Sequence, residues 1–163
     1  MQAHCPFHHA LIMRAGVGSE RSTVVSSCVE LDQHPKIRVM LVNHNESFLR
    51  VAADFLGRSR DLAVVGLFSR TEEVLSTLVD LRPQVILLDL DVPAHAGLEA
   101  VRRLRDALPH TGIITLSLSS ASAYRKAALA AGADALVNKS DLTSGLLPAI
   151  RQAVRRRCTL ATA

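Results

Sequence analysis

Two rhythms of apolar residues alternate along the chain. Runs of strand length in which nearly every residue is apolar stand at 37–42, 62–68, 85–88, 112–116 and 134–138. Between them, apolar residues recur three or four positions apart, the spacing that lines one face of an α-helix. Phe48, Leu49, Ala52, Phe55 and Leu56 form such a stripe within 45–58, and Val74, Leu75, Leu78 and Leu81 form another within 70–81. Leu98, Val101, Leu104 and Leu108 predict a third helix, and Leu142, Leu146, Ile150 and Val154 predict the last. The remaining helix, 121–131, is made of small residues and closes at Gly132. Punctuation agrees with these limits: Pro83 precedes the third strand, Pro93 and Gly97 mark a loop behind it, and Pro109 stops the helix that follows. Pro148 fits best if the last helix starts near 143–144, because proline removes an amide and crowds the preceding turn.

Strand then helix therefore occurs five times. Strands that are apolar throughout need cover on both faces, and strand–helix–strand crossovers are right-handed and leave neighbouring strands parallel. The expected architecture is α/β: a doubly wound five-stranded parallel sheet inside a three-layer sandwich. Residues 36–157 would form this domain. Residues 1–35 show no sustained period and read as a disordered extension, and 158–163 read as a tail.

Composition narrows the function classes. A chain of 163 residues that is 48% hydrophobic fills one core, but its longest apolar runs fall far short of the roughly 20 residues a membrane span needs. Aromatics are 3% with no Trp, so the core is aliphatic and base-stacking platforms for single-stranded nucleic acid are not expected. The net charge of +4 owes much to Arg151, Arg155, Arg156 and Arg157. Arginines there read as a solvated helix end that complements the helix dipole, which leaves nucleic acid an unlooked-for partner. Cys5, Cys28 and Cys158 lack metal spacing, so a reducing cytoplasm is the default. His4, Cys5, His8 and His9 lack a second ligand pair, and no apolar segment has the length of a signal sequence.

In sheets of this kind ligands bind beyond the carboxyl ends of the strands. The residues there are Asn43 and His44 after the first strand, Asp89 and Asp91 after the third, Ser117 after the fourth and Lys139 after the fifth. A carboxylate, a hydroxyl and an ammonium, each ending its own strand, should converge.

These residues resemble the receiver domain of bacterial two-component response regulators, which has the flavodoxin-like form of the fold. The resemblance lies in Val85-Ile86-Leu87-Leu88-Asp89 with Pro93 and Gly97, in Ile113-Ile114-Thr115-Leu116-Ser117, and in Gly132 through Lys139. It runs from about 37 to 157, roughly three quarters of the chain. It implies that Asp89 is the phosphoacceptor, that Lys139 neutralises a phosphoryl oxygen and that Ser117 is the switch hydroxyl. It implies a sensor histidine kinase or another signalling protein as partner. Output would run through the fourth helix, fifth strand and fifth helix, and a homodimer is a further expectation.

Three positions depart from the family pattern. Its members carry two acidic residues after the first strand, which hold Mg²⁺; here stand Asn43 and His44. Mg²⁺ prefers carboxylate oxygens and imidazole suits softer metals, so no metal or other cofactor is expected and phosphorylation should be weak or independent of Mg²⁺. At the Asp91 position the family offers a backbone carbonyl, so Asp91 counts with Asn43 and His44 as a pocket residue whose side chain is expected to point elsewhere. Leu136 replaces the usual switch aromatic. Only six residues follow Arg157, so a stand-alone domain is expected, or the remnant of a DNA-binding regulator without its output domain. The alternatives are a phosphorylation-independent pseudo-receiver or dimerisation module, and an enzyme on the same scaffold. Against an enzyme, no Gly-rich turn follows the first strand and no Gly-x-Ser-x-Gly elbow is present.

Overall fold

The computed structural model describes residues 35–90, 94–119 and 121–161. The extension expected at 1–35 lies, apart from Pro35, outside the described residues, as do Asp91, Pro93 and Ser120. Strands β1 (Ile37–Val42), β2 (Leu62–Phe68), β3 (Val85–Asp89), β4 (Gly112–Ser117) and β5 (Ala135–Asn138) alternate with helices α1 (Glu46–Gly57), α2 (Thr71–Leu81), α3 (Ala94–Ala107), α4 (Ser122–Ala130) and α5 (Leu142–Ala161). All strand pairs are parallel, in the order β2-β1-β3-β4-β5. The doubly wound sandwich is thus as the alternation predicts.

Side-chain alternation divides the core into two layers. Val39, Leu41, Leu87, Ile114 and Leu116 pack with Leu49 and Leu56 of α1 and with Leu146 and Ile150 of α5. Met40, Ile86, Leu88 and Ile113 face the other way, against Val74 of α2, Val101 and Leu104 of α3 and Ala128 of α4. Central strands β3 and β4 are buried along their whole length, whereas edge strands β2 and β5 are only partly so. Gly66 marks an irregularity in β2: Val39 pairs with Val64 but Met40 pairs with Gly66, so Val65 is an extra residue.

Three boundaries differ from the sequence reading. Helix α3 begins at Ala94, so Gly97 is helical; alanines favour helix there, and a Cβ on Gly97 would come 2.8 Å from Leu90 Cδ2. Helix α5 begins at Leu142, after one turn of 3-10 helix (Lys139–Asp141), and Pro148 lies inside it on the exposed side. The same helix runs on to Ala161, past the limit expected at Arg157. Leu75, expected on the inner face of α2, is 36% exposed.

Arg151, Arg155 and Arg156 of α5 are exposed as expected, and Arg157 is partly buried. Arg157 is engaged with Asp134, and Arg151 holds Asp61 in a two-pronged contact, Nε to Oδ2 at 2.9 Å and Nη2 to Oδ1 at 3.3 Å. Arg151 and then the Ser59 hydroxyl draw the Asp61 pKa from 3.8 down to about 2. A carboxyl whose folded pKa lies below its unfolded value stabilises the fold above the unfolded pKa and loses that contribution as pH falls through the folded one. Unfolding midpoints should therefore decline between about pH 4 and about pH 2, and Asp61→Asn should flatten the decline. Identical slopes in the two proteins would show that Asp61 is not responsible. The pair is nearly half exposed, so its effect is small at high salt.

Candidate functional site

Five parallel strands place their carboxyl ends on one edge. Asp89 ends β3 and Ser117 ends β4, while Lys139 directly follows β5. Asp89 pairs with Leu116, and Ser117 pairs with Asn138. Adjacent strands lie about 4.8 Å apart, so Lys139 must reach across the end of β4 to meet Asp89. Its Nζ lies 2.9 Å from Asp89 Oδ2. The Asp89 side chain is 2% exposed and that of Lys139 14%, and charges so far from water require a partner. The ammonium also stands over the Phe48 ring, 5.1 Å from its centroid, a favourable cation–π distance. Phe48 reaches this place from the first turn of α1, where its N–H donates to the capping side chain of Asn45.

Ser117 is fully buried, and its Oγ accepts the N–H of Ser119 at 3.0 Å. That bond shapes the turn into α4, and the hydroxyl proton remains available to donate elsewhere. Ser119 Oγ accepts in turn from Ala121 N–H at 3.3 Å, ahead of α4, whose N-cap is Ala121 without a side-chain cap.

Asn43 follows Val42, which pairs with Leu88, and this sets Asn43 beside Asp89 at the same level of the sheet. Its Oδ1 accepts the N–H of Asn45 at 2.8 Å, an Asx turn ahead of α1. Its Nδ2 is buried without a hydrogen-bond partner. His44 is exposed. Asn43, His44 and Asp89 line a cavity of about 300 Å³, closed by the start of α2 and by Ala96, Gly97 and Ala100 of α3. The structure thus brings together Asp89 with Lys139, and Asn43 and His44 with Asp89. Asp91 lies outside the described residues.

These donors do not suit Mg²⁺, which takes near-octahedral oxygen ligands with one or two carboxylates. One Asp89 oxygen is held by Lys139, and the Asn43 amide oxygen is held by a backbone N–H. Among the described residues no group of three His, Cys, Asp or Glu could hold a metal ion.

Sequence reasoning misses Phe48, whose place in the helical stripe marks it as core and gives no sign of the ammonium above it. It also misses Ser69 and Arg70 and the first residues of α2, which wall the cavity because β2 lies next to β1.

Comparison with known proteins follows the same outline. The model of the response regulator receiver domain matches residues 39–151. The uncharacterized transcriptional regulatory protein YxjL of Bacillus subtilis is 29% identical over 120 residues, 74% of this chain and 55% of its own length. Transcriptional activator protein ExaE of Pseudomonas putida is 30% identical over 122 residues, 75% of this chain and 52% of its own. The chain therefore spans about half the length of these curated relatives. Among solved structures, the response regulator domain of Thermotoga maritima CheB is similar with a TM-score of 0.65 and 27% identity, over 74% of this chain and 97% of that one. A LuxR-family two-component response regulator from Aurantimonas sp. SI85-9A1 gives a TM-score of 0.68 at 26% identity, over 75% and 87%. Among the described residues no helix is long and apolar enough to cross a membrane. Sheet order, the three strand-end residues and a family match over most of the folded segment agree: the chain belongs to the response regulator receiver domain family.

Proposed function

We propose that this receiver domain takes up a phosphoryl group on Asp89 from a histidine kinase or another phosphorelay donor in the cytoplasm. The observation that supports it most is the pairing of Asp89 with Lys139 at the sheet edge, with the Ser117 hydroxyl one strand away. In transfer from a phosphohistidine, an Asp89 oxygen forms a bond to phosphorus while the phosphorus–nitrogen bond breaks and the imidazole keeps that electron pair. Lys139 offsets the charge that gathers on the phosphoryl oxygens. Ser117 donates its remaining proton to one of them, and the turn it holds carries the change into α4. The face built by α4, β5 and α5 then meets a partner protein, which includes a second copy of this chain. Leu136 is buried and aliphatic, so the β4–α4 turn carries the signal without a swinging ring. With a poor Mg²⁺ site, transfer is slow beside that of a receiver with a full set of carboxylates.

Acetyl phosphate supplies the test. Intact mass should show slow addition of one phosphoryl group per chain, abolished in Asp89→Ala. Absence of any label, or a label that survives Asp89→Ala, would remove Asp89 from this role and leave a phosphorylation-independent module.

A further inference from the structure

We infer that the side-chain amide of Asn43 donates a hydrogen bond to the phosphoryl group on Asp89, in place of the metal that this site does not suit. The inference rests on the phosphorylation of Asp89 proposed above. The orientation of the amide is settled by its surroundings. Oδ1 accepts the Asn45 N–H at 2.8 Å, and the backbone N–H of Asn43 donates to the Phe68 carbonyl at 3.0 Å. The oxygen end is therefore committed, and Nδ2 is the donor end.

That donor is the one buried side-chain nitrogen or oxygen among the described residues that lacks a hydrogen-bond partner. Asn43 is 4% exposed. A donor withheld from water and left unpaired is destabilising, and a buried group in that state calls for an acceptor it has yet to meet. Asn43 stands next to Asp89 across the β1–β3 pair, and both line the same cavity. Ala96, Gly97 and Ala100 keep the α3 wall of that cavity low, which leaves room for a phosphoryl group.

An acyl phosphate on Asp89 would then have Lys139 on one flank and Asn43 on the other. Charge rises on the phosphoryl oxygens during transfer, and a fixed N–H aimed where charge gathers stabilises it without reorganisation. A carboxylate at position 43 would instead repel the incoming group unless a cation came between them. The residue that spoils the metal site thus supplies a neutral donor that needs no metal. Asn43 gives a hydrogen bond and no proton. With phosphoramidate as donor, an Asp89 oxygen bonds to phosphorus, the phosphorus–nitrogen bond breaks, and nitrogen leaves as ammonia with the protons it already carries.

The full chain is treated with phosphoramidate in EDTA and, separately, in Mg²⁺, and labelling is followed by intact mass for the wild type, Asn43→Ala, Asn43→Asp and Asp89→Ala. The wild type should label at the same rate in both media. Asn43→Ala, with its fold checked by circular dichroism, should label about tenfold to 100-fold more slowly in both. Asn43→Asp should label in Mg²⁺ and fail in EDTA, a change of metal dependence that a merely structural role would not produce. If Asn43→Ala does not fold, the Asn43→Asp comparison decides. Wild-type labelling that requires Mg²⁺, or Asn43→Asp labelling that ignores it, overturns the role of Asn43 while Asp89 remains the phosphoacceptor. Labelling of the wild type in neither medium overturns both.

Discussion

Replacing Asp134 by alanine should lower the unfolding free energy by about 3–5 kcal/mol. Asp134 sits just before β5, at the edge of the sheet opposite Asp89. Its Oδ2 accepts the Ile113 N–H and Arg105 Nη2, both at 2.8 Å. Its Oδ1 takes Arg157, with Nε at 2.9 Å and Nη2 at 2.6 Å. Arg105 also donates to the carbonyls of Leu108, Pro109, Thr111 and Gly132. One carboxylate, 6% exposed, thus joins α3, β4, the approach to β5 and α5 through two guanidiniums that are themselves 17% and 18% exposed. Burial, chiefly, lowers the pKa of Arg105; Asp134 opposes that shift and Arg157 adds to it. Without Asp134 two like charges would stand together, largely out of water, with no counter-charge. Arg157→Ala should be milder, about 1–3 kcal/mol, because Arg105 keeps its partner. Urea unfolding followed by circular dichroism measures both, since a chain with no Trp and one Tyr offers little fluorescence. A smaller loss for Asp134→Ala than for Arg157→Ala would contradict this ordering.

The second large effect lies at the other edge. Lys139→Met should destabilise by about 3 kcal/mol, because it takes the opposite charge away from the Asp89 carboxylate in a nearly dry place and removes the cation from Phe48. Adding Asp89→Asn should recover most of that loss, since the pair then no longer requires a charge at either end. The double variant is thus expected to be more stable than Lys139→Met alone. Simple additivity of the two single losses would mean that the residues do not support each other.

The fold was legible because its central strands are apolar without interruption, as burial on both faces demands, and its helices carry clean stripes. Asp89, Ser117 and Lys139 could be found because parallel strands deliver their ends to one edge. What could not be read is what depends on reach and turn geometry. Nothing in the spacing of Asp134 from Arg105 and Arg157 announces their meeting, which needs three elements packed first. The orphan amide of Asn43 was hidden for a similar reason. Residue type tells that Asn43 is a weak metal ligand, but the Asx turn to Asn45 decides which end of the amide is left over. Gly97 misled because glycine reads as a loop, whereas here its bare backbone lets α3 lie close to Leu90.

Strand β5 ends the sheet, and the guanidinium of Arg125 donates to the Leu136 carbonyl at 2.9 Å. An open border strand offers a row of acceptors on which a foreign strand could zip, the usual route from a folded sheet to intermolecular ribbons and precipitate. One carbonyl of this four-residue strand is thus already occupied, which weakens that template. This border of the sheet is thereby a poorer template for cross-chain strand addition.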